Sequence, residues 1–287
     1  MTPSTRRLLD RLLSVLAIGG TLFALFIIAT VASLVIVRGF PALSWHFFTE
    51  QVRSVGAEGG IVYQLVGTLI LMVTAATISL PVAIGVGLFH QLYLSAGRAQ
   101  RAIDALLQAL NGVPSIVFGL FGLAFFVQRL GMKKSWLAGG ILLAIMILPT
   151  VTVAFIEKLR AIPQATVEAA FGLGLRRPQV ARSILLPQGA AGLLTGTLLG
   201  LARAAGETAP IMFTAAVFAG ATIPKGVVDS PVLALPYHIF VLAQDSFDPA
   251  MTRNLWGSAI VLLILVATLS LIALPLRLRL HEEARRG

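Results

Sequence analysis

An arginine and a glutamate stand four residues apart in an otherwise apolar stretch, Leu201-Ala202-Arg203-Ala204-Ala205-Gly206-Glu207-Thr208-Ala209-Pro210. A charge at the centre of a membrane-crossing helix costs about 2.5–3.5 kcal/mol on insertion scales, so neither group is expected to face lipid. Two chemistries suit the pair. The Arg203 guanidinium can hold an oxyanion through two hydrogen bonds, with Glu207 restraining it or accepting a proton from the anion. Alternatively the two groups satisfy each other and tie helices together, although acid before base is the better order along a helix and here the base comes first. Gly192, Gly196 and Gly200 form a ridge of small residues, which lets another helix approach closely. At about 100° per residue, Arg203 lies about 60° and Glu207 about 20° from Gly200, on that packed face. Pro210 cannot donate to the carbonyl of Gly206, so a hinge is expected beside the charges. The stretch Asn111-Gly112-Val113-Pro114-Ser115 repeats the device, with Pro114 freeing the carbonyl of Leu110. Carriers place binding residues at broken helices near the bilayer middle. Arg203, Glu207 and Thr208 are therefore the candidate substrate pathway, and Gly206, Pro210 and Pro114 the candidate hinges.

The elements that must position these residues are membrane spans. Of 287 residues, 57% are hydrophobic and only 12% charged, whereas a soluble domain carries about 25% charged residues. Apolar runs of crossing length lie near Leu12–Val37, Gly60–Phe89, Ala105–Val127, Leu137–Ile156, Gly189–Ala219 and Leu255–Leu276, which predicts an all-α polytopic protein with about six spans. The net charge of +10 sits beside these spans rather than in a patch interleaved with aromatics, so nucleic acid is not the expected partner. Placing both termini in the cytoplasm puts more Lys and Arg inside than outside. The inner set includes Arg6, Arg7, Arg11, Arg98, Arg101, the connection from Lys158 to Arg182, and Arg277 to Arg286, as the positive-inside rule requires. The chain divides into an N-terminal end, first span and outer segment (1–59), a core (60–276) with an inner loop (157–187), and a cytoplasmic tail (277–287). Trp45, His46, Phe47 and Phe48 in the outer segment suit the headgroup level. Disulfides and thiolate metal sites are excluded because there is no cysteine. His46, His90, His238 and His281 stand alone, without a second ligand at metal spacing. No paired carboxylates or nucleophile–base set suggests catalytic residues.

The inner loop reads Glu168-Ala169-Ala170, three residues, Gly174, nine residues, then Ile184-Leu185-Leu186-Pro187. Good helix formers, a glycine able to take φ > 0, a second short piece and a proline stop describe a compact helix–turn–helix. Such a unit is either a docking element for a partner groove or simply a structured basic loop. At every one of these positions it is similar to the E-A-A-x3-G-x9-I-x-L-P signature of bacterial ABC importer permeases. That resemblance implies type I importer architecture, with Glu168, Ala169, Ala170, Gly174, Ile184 and Pro187 forming the coupling helix that sits in a cleft of an ATPase subunit. No Walker A pattern occurs in the chain, so ATP and Mg would belong to that partner, and no cofactor is expected here. Gly206-Glu207-Thr208-Ala209-Pro210-Ile211-Met212-Phe213-Thr214-Ala215 further resembles the G-E-T-A-P-L-L-F-T-A run of PstA-type permeases of phosphate importers. Ile211 and Met212 replace two leucines of that run. Gly112 to Leu120 and Leu235-Pro236-Tyr237-His238-Ile239 are similar as well, and the resemblance extends from about Gly67 onward. It implies a bacterial inner-membrane subunit that carries inorganic phosphate together with a PstC-like second permease, two ATPase subunits and an extracytoplasmic phosphate-binding protein. A permease for sulfate or molybdate, or an ion-coupled carrier, is the alternative.

Overall fold

A computed structural model describes residues 3–53, 56–94, 97–220, 223–244 and 248–286, with side chains placed from residue 12 to 274. Arg6, Arg7, Arg11, Arg277, Arg279, Arg285, Arg286 and His281 therefore have no described side chains. The first helix, α1 (Pro3–Gly39), is apolar on every side, and no part of its membrane-length window is buried by the rest of the chain. It rests on the last helix near its own C-terminal end, where the Arg38 guanidinium lies 5.2 Å from the Trp256 ring centre. A short helix, α2 (Trp45–Thr49), follows. The Ser44 hydroxyl caps it by accepting from the Phe47 N–H, and Phe47 is buried while Trp45 is exposed.

The core is built on α3 (Val62–Leu92) and, after α4 (Arg98–Gly112) and α5 (Ser115–Gly122), on α6 (Trp136–Arg160). A helix that is apolar all round is enclosed by lipid or by protein, and α6 is enclosed by protein. Leu142, Leu143, Met146, Ile147, Val151 and Phe155 are shut off from solvent by α3 and by α9 (Leu186–Gly206), the latter reached through α7 (Gln164–Gly172) and α8 (Arg177–Val180). Glycines set the approach. A Cβ at Gly87 of α3 or Gly189 of α9 would run into the Phe155 ring from either side, and one at Gly140 would strike Thr74. The chain closes with α10 (Ala209–Thr214), α11 (Leu235–Gln244) and α12 (Pro249–Arg286), which packs along α9. The last helix runs unbroken as far as Arg286, into the expected tail.

Five helical stretches are long and apolar enough to cross a membrane, and a sixth is a bent pair. Two expectations need correction. The run read as one span at Ala105–Val127 is α4 and α5 bent by 93°, because Val113 before Pro114 is held in extended backbone (φ −71°, ψ 128°) as a pre-proline residue must be. The fifth span begins earlier than Gly189 and stops at Gly206. It starts at Arg177, since a wide π turn at Ala181–Leu185 carries α8 straight into α9. Pro187 is consequently not a stop but lies two residues past the π turn, within one continuous helical span.

At one end of the bundle, here called the basic end, α3 and α6 terminate, α4 begins, and α7 and α8 pack on the cluster of Phe155, Leu159, Ile162, Ala170, Val180 and Leu185. At the opposite end, the chain between α10 and α11 folds back. Val217 N–H donates to the Val232 carbonyl, Val232 N–H donates to that of Ala215, and Leu235 N–H donates to Thr68 Oγ1. His238 of α11 is buried beneath this turn, stacked on Phe218 at 5.6 Å and 3.5 Å from the Gln64 amide. Burial pushes its pKa down from 6.5 to about 4. Above pH 6.5 both folded and unfolded chains hold it neutral. Between 6.5 and about 4 only the unfolded chain takes up the proton, so the fold loses stability as pH falls, by about 3 kcal/mol at the end of that window. Thermal unfolding of the detergent-solubilised chain from pH 7.5 to 4.5 should show this slope, and His238→Gln should flatten it. An unchanged slope in the variant would place the sensitivity elsewhere.

Candidate functional site

The glycine ridge of α9 packs as its spacing required. Gly192 lies against Lys158 and the Ala154 carbonyl, Gly196 against Ala154 and Val151, and Gly200 against Ile147 and Val151, at the middle of α6. Arg203 is one turn further on. The helix then ends at Gly206; Glu207 is extended (φ −79°, ψ 125°), Thr208 precedes α10 without a side-chain capping bond, and Pro210 sits in the first turn of that helix. Pro210 thus opens the new helix after the break it was expected to cause. Glu207 lies beyond α9, so the helical angle expected for it does not apply. The two charges still meet: Arg203 Nε donates to Glu207 Oε1 at 3.4 Å, with the side chains 35% and 16% exposed. This is a single long contact rather than a two-bond fork. The two terminal nitrogens of Arg203 make no hydrogen bond among the described residues. A side chain at Gly206 would meet nothing within 4 Å, so the break opens onto free space.

The second break lies beside the middle of α6. Thr150 Oγ1, near the middle of α6, donates to Asn111 Oδ1 at 3.2 Å, just before the Val113–Pro114 bend. Past the bend, Gly119 of α5 packs under the Ala209 carbonyl and the Phe213 ring of α10. The two interrupted helices are therefore pressed together beside α6. The carbonyl of Leu110, expected to be free, accepts from Val113 N–H at 3.4 Å.

In the loop at the basic end, α7 carries Glu168 and Ala169 outward, while Ala170 is buried in the local cluster. Gly174 follows at φ +82°. Its N–H donates to the Phe171 carbonyl and that of Leu175 to the Ala170 carbonyl, the paired bonds of a Schellman cap. Ile184 is half-buried and Pro187 exposed. Sequence reasoning missed two neighbours, Phe171 and Leu173. Leu173 is 82% exposed and Phe171 40% exposed, side by side on the outer face of the cap. It missed also that His90 and His46 are not alone: His90 Nε2 lies 3.2 Å from Asp104, and His46 Nδ1 lies 3.1 Å from Glu50. The Asp104 partner is far away in sequence, and no spacing rule reaches it.

Residues 79–282, which contain both breaks and the loop, match the family model described as the binding-protein-dependent transport system inner membrane component. The chain belongs to this family. It is 30% identical to the phosphate transport system permease protein PstA of Pasteurella multocida, over 93% of this chain and 94% of that one. It is 33% identical to PstA 1 of Mycobacterium tuberculosis (strain CDC 1551 / Oshkosh), over 85% and 80%. Its fold is similar to a chain of the MetNI methionine ABC transporter, with a TM-score of 0.54 and 19% identity over 77% of this chain and 94% of that one. The protein is therefore an all-α, multi-pass permease component of the inner membrane with the ABC importer fold. Membership of the binding-protein-dependent family implies a substrate-binding protein and ATPase subunits as partners.

Proposed function

We propose that this chain is one of two membrane subunits of an ATP-driven importer of inorganic phosphate, of PstA type, with its basic end and both termini in the cytoplasm. The observation that carries the substrate is Arg203, which stands one turn before a helix break at mid-bundle and whose terminal nitrogens make no hydrogen bond among the described residues. A planar guanidinium offers two parallel N–H groups to an oxyanion, and the relatives named as phosphate permeases favour phosphate over sulfate or molybdate. Glu207 restrains the guanidinium and accepts a hydrogen bond from a protonated phosphate oxygen, and Thr208 supplies a hydroxyl beside them. A PstC-like subunit completes the route on the open side of Gly206. The α7 helix, with Glu168, Ala169, Ala170 and Gly174, docks on one of two ATPase subunits; Ile184 and Pro187 hold the loop to α9. Those subunits bind ATP and Mg, so no bond is broken by this chain. A phosphate-binding protein delivers the anion from outside. Pro114, Gly206 and Pro210 let the two broken helices move.

Reconstituted complex in liposomes should take up labelled phosphate only with ATP inside the cytoplasmic compartment, and excess sulfate should leave the rate unchanged. Equal competition by sulfate or molybdate would replace phosphate as cargo, and uptake driven by an ion gradient without ATP would replace the mechanism. Orientation has its own test on this cysteine-free chain. Glu58 is exposed at the end opposite the docking loop, whereas Gln64 is fully buried. Cysteine at 58 should react with an impermeant reagent added outside and cysteine at 64 should resist it; labelling of position 58 from the cytoplasm alone would invert the topology.

A further inference from the structure

At the basic end three side chains from three helices converge. Arg160, the last residue of α6, places Nη2 3.0 Å from Asp104 Oδ2 and 3.3 Å from His90 Nε2, and His90 Nε2 lies 3.2 Å from Asp104 Oδ1. His90 is fully buried in α3, while the Arg160 and Asp104 side chains are 46% and 34% exposed. Asp104 belongs to α4, and α4 is held lightly. Leu107 is its one buried side chain, and among the described residues its other polar tether is the Asn111–Thr150 contact at the bend. Between α4 and α6 lies an open groove of about 220 Å³, lined by Asp104, Gln108 and Asn111 on one side and Glu157 and Arg160 on the other. The helix is an arm with a joint at one end, where no helical hydrogen bonding crosses Val113–Pro114, and a polar tether about midway along it at Asp104.

The position of Arg160 gives that tether a direction. It leads through Ala161 and Ile162 into α7, and Ile162 is buried in the cluster that also holds Ala170 and Leu185. A close-packed cluster moves as a body. Displacement of α7 therefore carries the end of α6, and with it the guanidinium that grips Asp104. A half-exposed ion pair in reach of water is readily made and remade, as a contact used in each cycle must be.

We infer that Asp104, Arg160 and His90 form the link that transmits movement of the docking loop to α4, swinging it about Pro114 to open or shut the basic-end half of the route. This rests on the reading of α7 as the ATPase dock. Asp104 and Arg160 are positioning residues and touch no substrate on this account.

The test uses the complete transporter in liposomes and reads ATP hydrolysed per phosphate taken up, together with ATPase retention on purification. Asp104→Asn and Arg160→Gln should each retain the ATPase subunits and raise the ATP-to-phosphate ratio at least about tenfold, and the reversed pair Asp104→Arg with Arg160→Asp should bring it back toward the parent value. Bridging Asp104→Cys to Arg160→Cys with a short, reducible bis-thiol reagent should stop uptake, and reductant should restore it. An unchanged ratio in the neutral variants, or uptake that continues through the bridge, overturns the link. Loss of the ATPase subunits from the neutral variants overturns it too, since the contact would then serve assembly. Failure of the underlying dock is seen separately, as full ATPase retention by Glu168→Lys.

Discussion

Arg203→Gln is expected to assemble with its partner subunits at native yield and to lose phosphate uptake. Each hydrogen bond from a charged group contributes about 1.5–3 kcal/mol, so losing even one slows uptake about 10- to 100-fold at 1.4 kcal/mol per tenfold. Native yield follows from the geometry of the pair. Breaking a fully buried ion pair costs about 3–5 kcal/mol, but this contact is long, and its side chains are 35% and 16% exposed at the open break. Water and the freed Glu207 carboxylate adjust there, which lowers the cost. Arg203→Lys should keep a fraction of uptake, having the charge without the planar fork. Co-purification yield and labelled-phosphate uptake are the two measurements. Normal uptake by Arg203→Gln would remove the residue from the route. Loss of both properties, with recovery in the double variant Arg203→Gln and Glu207→Gln, would make the pair a structural tie.

Glu168→Lys and Gly174→Pro should release the ATPase subunits and bring coupled uptake to background while the chain still inserts. Glu168 is exposed on α7, so reversing its charge leaves the interior untouched and acts only on what binds there. Gly174 acts through the backbone. Its φ of +82° is closed to proline, whose ring fixes φ near −65°, and proline also deletes the N–H that donates to Phe171. The cap then fails, and Leu173 and Phe171 leave the positions in which α7 presents them. Gly174→Ala is the graded control: nothing lies within 4 Å of the added methyl, so only the left-handed backbone opposes it, at about 1 kcal/mol. ATPase subunits recovered at parent levels with Glu168→Lys would end the docking assignment.

Much of this architecture was legible in the sequence because the bilayer is a simple solvent. Length and apolarity located the crossing helices, and proline chemistry located both breaks. The Gly192, Gly196 and Gly200 spacing foretold which face of α9 meets a neighbour. Less legible were features decided by contacts distant in sequence. The apparent single span at Ala105–Val127 cut into an amphipathic helix: α4 carries Arg101, Asp104, Gln108 and Asn111 on one face, and a span begun at Ala105 leaves the first two of these outside it. Pro187 read as a stop because the π turn just upstream, through which α8 runs on into α9, leaves no sequence mark. His90 read as solitary because its carboxylate is on another helix.

Phe155 has a consequence for how sequences of this kind diverge. Its ring fills the space between Gly87 and Gly189, and a Cβ at either glycine would overlap it. Enlarging a close-packed site costs about 1–3 kcal/mol, and swaps that conserve volume are tolerated best. Positions 87, 155 and 189 should therefore be inherited as one character across descendants of this chain: wherever alanine or serine replaces either glycine, residue 155 should be smaller than phenylalanine, so that drift at any one of the three is held back by the other two.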